Sequence, residues 1–221
     1  MTTGRTIKTQ LYDHFARIGK ALDSPQRLEL LDLLCQCERT VENLAFEANL
    51  TIANTSRHLQ ILKASRMVET RKDGVKVYYR LNSKEVCDLM CDLRELAKKN
   101  LAEVAQIMDN YFNGGEKLQP VNREELLQRV KQGNITLLDV RPEMEYDKAH
   151  LPLAKSIPLT QLKSRLAELP QDLEIVAYCR GPYCVLAQEA VKFLRQNGYK
   201  AWRLTEGVIE WRENGLELIE N

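Results

Sequence analysis

Read for its apolar positions, the chain changes period more than once. Between residues 8 and 22 hydrophobic side chains recur at Leu11, Phe15, Ile18 and Leu22, the spacing of one helical face. Asp23-Ser24-Pro25 supplies a cap and a helix-starting proline, and Leu28, Leu31 and Leu34 predict a second helix over residues 25–37. Residues 41–48 read as a short third helix, and Asn49-Leu50-Thr51 turns into a fourth over 52–64. The period then shortens. Two β-favouring runs, 68–71 and 75–81, flank Asp73-Gly74, a strong hairpin signal. Residues 83–111 return to helix, with Val86, Leu89, Met90, Leu93, Leu96, Ala97, Leu101, Val104 and Met108 in near-heptad order. That spacing predicts one long helix, whose stripe calls for the same helix of a second subunit.

Asn113-Gly114-Gly115-Glu116-Lys117-Leu118-Gln119-Pro120 is polar, glycine-bearing and closed by proline, so residues 113–120 are expected to be a linker. Beyond it strands and helices alternate. Asn122 caps a helix over 122–130, and strands are expected at 135–140, 174–178 and 201–204, with a short extended piece at 156–159. Helices are expected at 143–148, 161–168, 185–196 and 208–213. This alternation implies a parallel sheet covered on both faces, with ligands at the carboxyl ends of the strands. Trp202 and Trp211 are assigned to its core.

Composition changes this picture in two places. A length of 221 residues allows two modest cores, and a hydrophobic content of 44% with 29% charged residues is that of a soluble globular protein. No apolar run approaches the ~20 residues of a membrane helix, so a cytoplasmic location without membrane contact is expected. Net charge is only +1, yet residues 57–84 carry eight basic side chains against Glu69 and Asp73, a local excess that suits a polyanion. From Gly114 onward the 15 basic and 16 acidic residues balance. The six cysteines fall as Cys35/Cys37, Cys87/Cys91 and Cys179/Cys184, close pairs that point to redox chemistry or metal binding rather than a disulfide scaffold.

Two short helices at a tight turn, then a basic hairpin, make a winged helix-turn-helix. The helix over 52–64 keeps Leu59 and Leu62 for the core and offers Asn54, Ser56, Arg57, His58 and Gln60 to base edges and phosphates of double-stranded operator DNA. Arg71, Lys72 and Lys76 on the wing would reach the backbone or the minor groove. Residues 27–81 resemble the ArsR/SmtB family of bacterial repressors, above all in "SRHLQIL" (56–62) and "DGVKVYYRL" (73–81). The resemblance implies a homodimer that leaves DNA when a metal or oxidant reaches its cysteines. The family's metal-binding Cys-x-Cys falls here on Thr40 and Glu42, and the histidine-rich zinc site of the last helix is missing. Cys87 and Cys91 share one helical face and, with Cys35 and Cys37, are candidates for a soft cation or an oxidant; packing at the interface is the competing account.

The stretch that carries chemistry in the second half is Val176-Ala177-Tyr178-Cys179-Arg180-Gly181-Pro182-Tyr183-Cys184-Val185. A β-run delivers Cys179 to a Gly-Pro loop that opens a helix, where backbone N–H groups and the positive helix end converge. Cys179 is therefore expected to be a low-pKa nucleophile, with Arg180 adding a fixed positive charge; a buried strand-end cysteine is the competing account. Together with "LLDVRPEMEYDKAHLPLAKSIPL" (137–159) and "LTEGVIEW" (204–211), this loop resembles the rhodanese family. The resemblance implies a sulfurtransferase fold in which Cys179 accepts sulfane sulfur as a persulfide, Cys179, Arg180, Gly181, Tyr183 and Cys184 forming the site. Val185 stands where the arginine of a Cys-x₅-Arg oxyanion cradle would be, which speaks against such a cradle. Many rhodaneses carry a basic residue and then Ser or Thr where this chain has Tyr183 and Cys184, which disfavours anionic thiosulfate. Cys184 is placed to resolve a persulfide on Cys179. Asp139, Arg141, Glu145 and His150 match family-typical positions and are read as hydrogen-bonded scaffold.

The sequence thus predicts two domains, both without a cofactor. Residues 1–112 form a mainly α winged helix-turn-helix with a β-hairpin wing, which binds DNA and dimerises. Residues 121–221 form an α/β rhodanese-like parallel sheet flanked by helices. The function expected is a transcriptional regulator, a repressor, that senses reactive sulfur through a persulfide or disulfide at Cys179, its partner a small sulfane-sulfur donor or an oxidant. Two alternatives stand beside it, a sulfurtransferase with an accessory DNA-binding domain and a thiol-based metal- or arsenic-responsive repressor.

Overall fold

Residues 3–112 and 123–220 are described by a computed structural model of the chain, and they divide into two units, Met1–Asn100 and Leu101–Asn221. The expected linker at 113–120 and the expected cap at Asn122 lie outside the described residues. Among the described residues, no helix is long and apolar enough to cross a membrane.

In the first unit, α1 (Gly4–Leu22) and α2 (Pro25–Gln36) follow the apolar stripes, with proline at the start of α2. β1 (Arg39–Thr40) leads into α3 (Val41–Glu47), and α4 (Ile52–Ala64) comes next. Threonines open both of these helices. The Asn43 N–H donates to Thr40 Oγ1 and the Asn54 N–H to Thr51 Oγ1, each satisfying an amide of the first turn. Between α3 and α4 Asn49 turns at φ 50°, and the Leu50 N–H donates back to the Ala45 carbonyl. β2 (Val68–Asp73) and β3 (Lys76–Leu81) form the expected hairpin. Asp73 opposes Lys76, and Gly74 takes the positive φ that a two-residue loop requires. Leu30, Leu31, Leu44, Leu59 and Leu62 are fully buried in the core these elements share. The sequence did not reveal β1, which pairs with β3 (Arg39 opposite Tyr79) and extends the wing to three strands.

The long helix expected over 83–111 is interrupted. α5 (Lys84–Asn100) ends one residue before Leu101, which is extended, and α6 (Ala102–Ile107) restarts and runs into a π-helical stretch, Met108–Phe112. No proline or glycine breaks it. Asn100 Nδ2 donates to the Leu96 carbonyl, a side chain competing with the backbone for a helical acceptor.

In the second unit α7 (Arg123–Lys131) precedes β4 (Ile135–Asp139), α8 (Glu143–Lys148), β5 (Ala149–His150) and β6 (Lys155–Ser156). The helix expected over 161–168 is instead α9 (Leu159–Leu162) and a separate 3₁₀ turn, Leu166–Glu168; the Ser164 hydroxyl takes the Gln161 carbonyl between them. β7 (Glu174–Tyr178), α10 (Leu186–Gln196), β8 (Ala201–Arg203) and α11 (Val208–Glu213) follow as expected. β9 (Ile219–Glu220), which the sequence did not reveal, pairs antiparallel with β5.

The main sheet is parallel, in the order β6-β4-β7-β8, and both its faces are covered. Ile175 and Ala177 of β7 face a core shared with α9 and α10, whereas Val176 and Tyr178 face one shared with α7 and α11. Trp211 is fully buried, as expected. Trp202 is not. It lies on the edge strand β8, half-buried, with the Arg195 guanidinium 4.9 Å above its ring.

Candidate functional site

On α4 the apolar stripe turns Thr55, Leu59 and Leu62 inward, and Asn54, Arg57 and Gln60 are left exposed. Ser56 is half-buried. So is His58, whose Nδ1 is enclosed without a hydrogen-bond partner. Burial, helped by the charges of Arg27 and Arg57, holds this imidazole below its usual range. Lys63 ties the helix to the wing, its Nζ donating to Thr70 Oγ1 at 2.8 Å. Lys72 and Lys76 are exposed on the hairpin. Arg71 does not stand free as the wing cation the sequence suggested. Its guanidinium forks onto Glu38 at 2.5 and 3.1 Å, meets Asp73 at 3.3 Å, and lies 5.0 Å from the Tyr78 ring.

In the second unit, β7 hands its alternation to Cys179. Since Ile175 and Ala177 face the α10 core, the next residue on that side is Cys179, and it is only 1% exposed. The sulfur is nevertheless not surrounded by hydrocarbon alone. The backbone N–H groups of Gly181 and of Ala187, in the first turn of α10, act on it and favour its charged form. The Cys179 thiol donates to the Cys184 carbonyl at 3.5 Å, and each cysteine shifts the titration of the other. The low pKa expected of Cys179 is therefore corrected. Burial, with the neighbouring Cys184, pushes the Cys179 thiol up. Cys184 instead is lowered to about 7, by the hydrogen bond from Cys179, the charge of Arg180 and the N–H groups of Arg180 and Leu186. The pair holds its first negative charge at Cys184, with Cys179 donating to it.

Arg180 does not supply Cys179 with an unopposed charge either. Its guanidinium is forked onto Glu145 at 2.6 to 3.1 Å, and that carboxylate is fully buried. Asp139, Arg141, Glu145 and His150 form scaffold. Arg141 pairs with Asp139 at 2.6 Å and donates to the Ala149 carbonyl, and the His150 ring stacks on Tyr146 at 3.7 Å.

Comparison with known proteins places this geometry. Residues 24–70 match the arsR family of bacterial regulatory proteins, and residues 122–214 match the rhodanese-like domain. The HTH-type transcriptional regulator Rv0324 of Mycobacterium tuberculosis is 43% identical over 213 residues, 96% of this chain and 93% of that one. The chain belongs to the ArsR-family transcriptional regulators that carry a C-terminal rhodanese-like domain. A protein named sulfurtransferase from Allochromatium vinosum is 30% identical to this regulator over 45% of its chain and 92% of that protein. A solved homodimeric winged helix-turn-helix DNA-binding domain from Mycobacterium bovis, Mb0332, is 39% identical, covering 42% of the regulator and 87% of that domain, with a TM-score of 0.41.

Three features of the regulator's sulfur loop escaped the sequence reading. Arg203, at the carboxyl end of β8, donates to the Pro182 carbonyl at 2.5 Å and lies 4.3 Å from the Phe112 ring. Burial pulls this guanidinium down while the charges of Cys179 and Cys184 oppose the shift, and its buried Nε has no hydrogen-bond partner. Gly207 sits under the loop so closely that a Cβ there would come 2.4 Å from the Cys179 carbonyl oxygen. Glu210 accepts the Gly207 N–H at 2.8 Å and closes against Gly181. No local pattern marks Arg203. Gly207 was visible only as part of the 204–211 motif.

The other cysteines meet in the first unit. Cys35 of α2 and Cys91 of α5 both hydrogen-bond with Cys87, and the contact with Cys35 above all pushes the Cys87 thiol up to about 12. Cys37 caps the end of α2. Among the described residues, no group of three or more His, Cys, Asp or Glu side chains is arranged to hold a metal ion.

The asymmetry of the sulfur pair has a direct readout. Only the thiolate is alkylated, so the iodoacetamide rate at Cys184 should climb through pH 7 and level off above about pH 8. Cys179 should lag at every pH, and peptide mass spectrometry of the alkylated chain separates the two. A Cys179 that is alkylated first would reverse the assignment.

Proposed function

We propose that this regulator grips operator DNA as a homodimer and that capture of sulfane sulfur at Cys179 changes its hold. Its DNA-binding part lies in the first unit and its sulfur module in the second, which also takes in α6 and the stretch Met108–Phe112. Asn54, Ser56, Arg57, His58 and Gln60 of α4 read the major groove, and Lys72 and Lys76 of the wing meet phosphates; Arg71 stiffens the wing through Glu38. Exposed apolar side chains on α1 (Leu11, Tyr12, Phe15) and on α5 (Leu89, Leu96) support dimerisation.

The observation that carries the sulfur reading is the pair of cysteines in one loop at the head of α10, the Cys179 thiol donating to the Cys184 carbonyl at 3.5 Å, with the amides of Gly181 and Ala187 favouring charge on Cys179. Cys184, as thiolate, takes the proton of Cys179. The Cys179 thiolate attacks the outer sulfur of a persulfide, the donor's S–S bond breaks, and the donor leaves as a thiolate that collects the proton from Cys184. The loop amides then face the new Cys179 persulfide. Cys184 can next attack the inner sulfur, forming the Cys179–Cys184 disulfide and releasing hydrosulfide.

A DNA-shift titration with inorganic tetrasulfide tests this. Wild type should change its apparent DNA affinity about tenfold, a coupling of ordinary size. Cys179→Ser should give no sulfur adduct and no shift. An equal shift in the variant refutes the proposal. The Allochromatium relative supports a second reading, a sulfurtransferase whose DNA-binding half serves only to place it. Thiosulfate:cyanide turnover that depends on Cys179, with DNA affinity indifferent to sulfur, would select that reading.

A further inference from the structure

A cavity of about 360 Å³ opens beside the sulfur loop, and its lining has no role in the chemistry above. Val104, Ile107, Met108, Tyr111 and Phe112 form one wall, and Tyr183 and Val185 form the other. The lining is almost wholly hydrocarbon and aromatic. Its size is that of a small-molecule site. The two loop residues in it are the immediate neighbours of Cys184. The opposite wall includes the π-helical stretch Met108–Phe112, a form frequent at functional sites. Tyr111 and Phe112 pack edge to face there at 4.9 Å.

The charges around this cavity discriminate between donors. Arg180 is bound to Glu145, and Arg203 is bound to the Pro182 carbonyl and covered by Phe112. Arg180 is thus neutralised by Glu145, Arg203 is engaged only in part, its buried Nε lacking a hydrogen-bond partner, and a doubly charged donor such as thiosulfate would enter against an apolar wall. A donor with one sulfane sulfur and an apolar body meets the opposite situation. Its sulfur can reach the loop while its hydrocarbon leaves water.

We propose that this cavity binds the apolar substituent of an organic persulfide, R–S–SH with R an alkyl or aryl group, and so selects hydrophobic sulfane-sulfur donors for the Cys179–Cys184 loop. The inference rests on the sulfur-capture reading above and names its substrate class. The covalent step is unchanged. Cys179 takes the outer sulfur, the S–S bond breaks, and R–SH is left in the cavity to depart.

The test uses the reduced full-length protein and a series of alkyl hydropersulfides from methyl to hexyl, with inorganic tetrasulfide as the reference donor. The rate of sulfur addition to the peptide bearing Cys179 and Cys184 is followed by mass spectrometry. Each CH₂ withdrawn from water is worth up to about a fourfold gain, so hexyl should exceed methyl by about tenfold or more even with partial burial. Val104→Asp and Ile107→Asp each put a carboxylate into the cavity wall, at positions that are half-buried and exposed respectively. Either should flatten the series, lowering the hexyl-to-methyl ratio at least about fivefold. A series flat in wild type, or one equally steep in both variants, overturns the cavity assignment while tetrasulfide uptake at Cys179 leaves the sulfur reading standing. No uptake from any donor, tetrasulfide included, overturns both.

Discussion

Replacing Arg141 by methionine should cost the second unit about 3–5 kcal/mol, the usual penalty for stranding one partner of a buried ion pair. Arg141 and Asp139 are 1% and 0% exposed, and the guanidinium donates to both oxygens of Asp139 as well as to the Ala149 carbonyl. Methionine fills much of the volume but leaves the Asp139 carboxylate without its counter-charge in a place water does not reach. The pair also joins the end of β4 to the start of β5, so the damage should spread to the β5–β9 pairing. Exchanging Asp139 for leucine in the same chain removes the stranded charge and should recover most of the loss, since an apolar pair can replace a buried ionic one. Both tryptophans, Trp202 and Trp211, belong to this unit, so urea unfolding followed by tryptophan emission reports on it alone. A single variant within about 1 kcal/mol of wild type would mean that the site admits water.

Gly207→Ala should disable the sulfur loop while touching no sulfur. The added methyl would lie 2.4 Å from the Cys179 carbonyl oxygen, 2.7 Å from the Arg180 carbonyl carbon and 2.8 Å from the Gly181 nitrogen. All three are backbone atoms, so no side chain can swing aside. The loop itself must move, and the amides that face Cys179 move with it. Overpacking of this kind costs about 1–3 kcal/mol, and a displacement of about 1 Å at reacting groups lowers rates about 100-fold. Sulfur uptake from tetrasulfide should therefore fall by about that factor, while the iodoacetamide profile of Cys184 loses its midpoint near pH 7 as Cys179 stops donating to it. Wild-type uptake in this variant would show that the loop tolerates a shift its packing does not suggest.

Much of the regulator is written in local pattern. The threonines that cap α3 and α4, the glycine of the β2–β3 loop and the alternation of β4 and β7 act over a few residues, so their elements could be read directly from the chain. Both families were legible for the same reason, and so was the position of Cys179 at a strand end facing a helix. The rest depended on partners distant in sequence. Arg71 is taken by Glu38, 33 residues away, and Arg180 by Glu145, 35 residues away. Trp202 ended on an edge strand, and β1 and β9 exist only through the strands they pair with. Which sulfur carries the charge was likewise a tertiary decision. Burial against α10 penalises a thiolate at Cys179, whereas Cys184, accepting a hydrogen bond from Cys179 and facing Arg180, keeps the charge. Periodicity, caps and turns are set by neighbouring residues. Desolvation and ion pairing are set by whatever folding packs alongside, and that is where this chain's chemistry was decided.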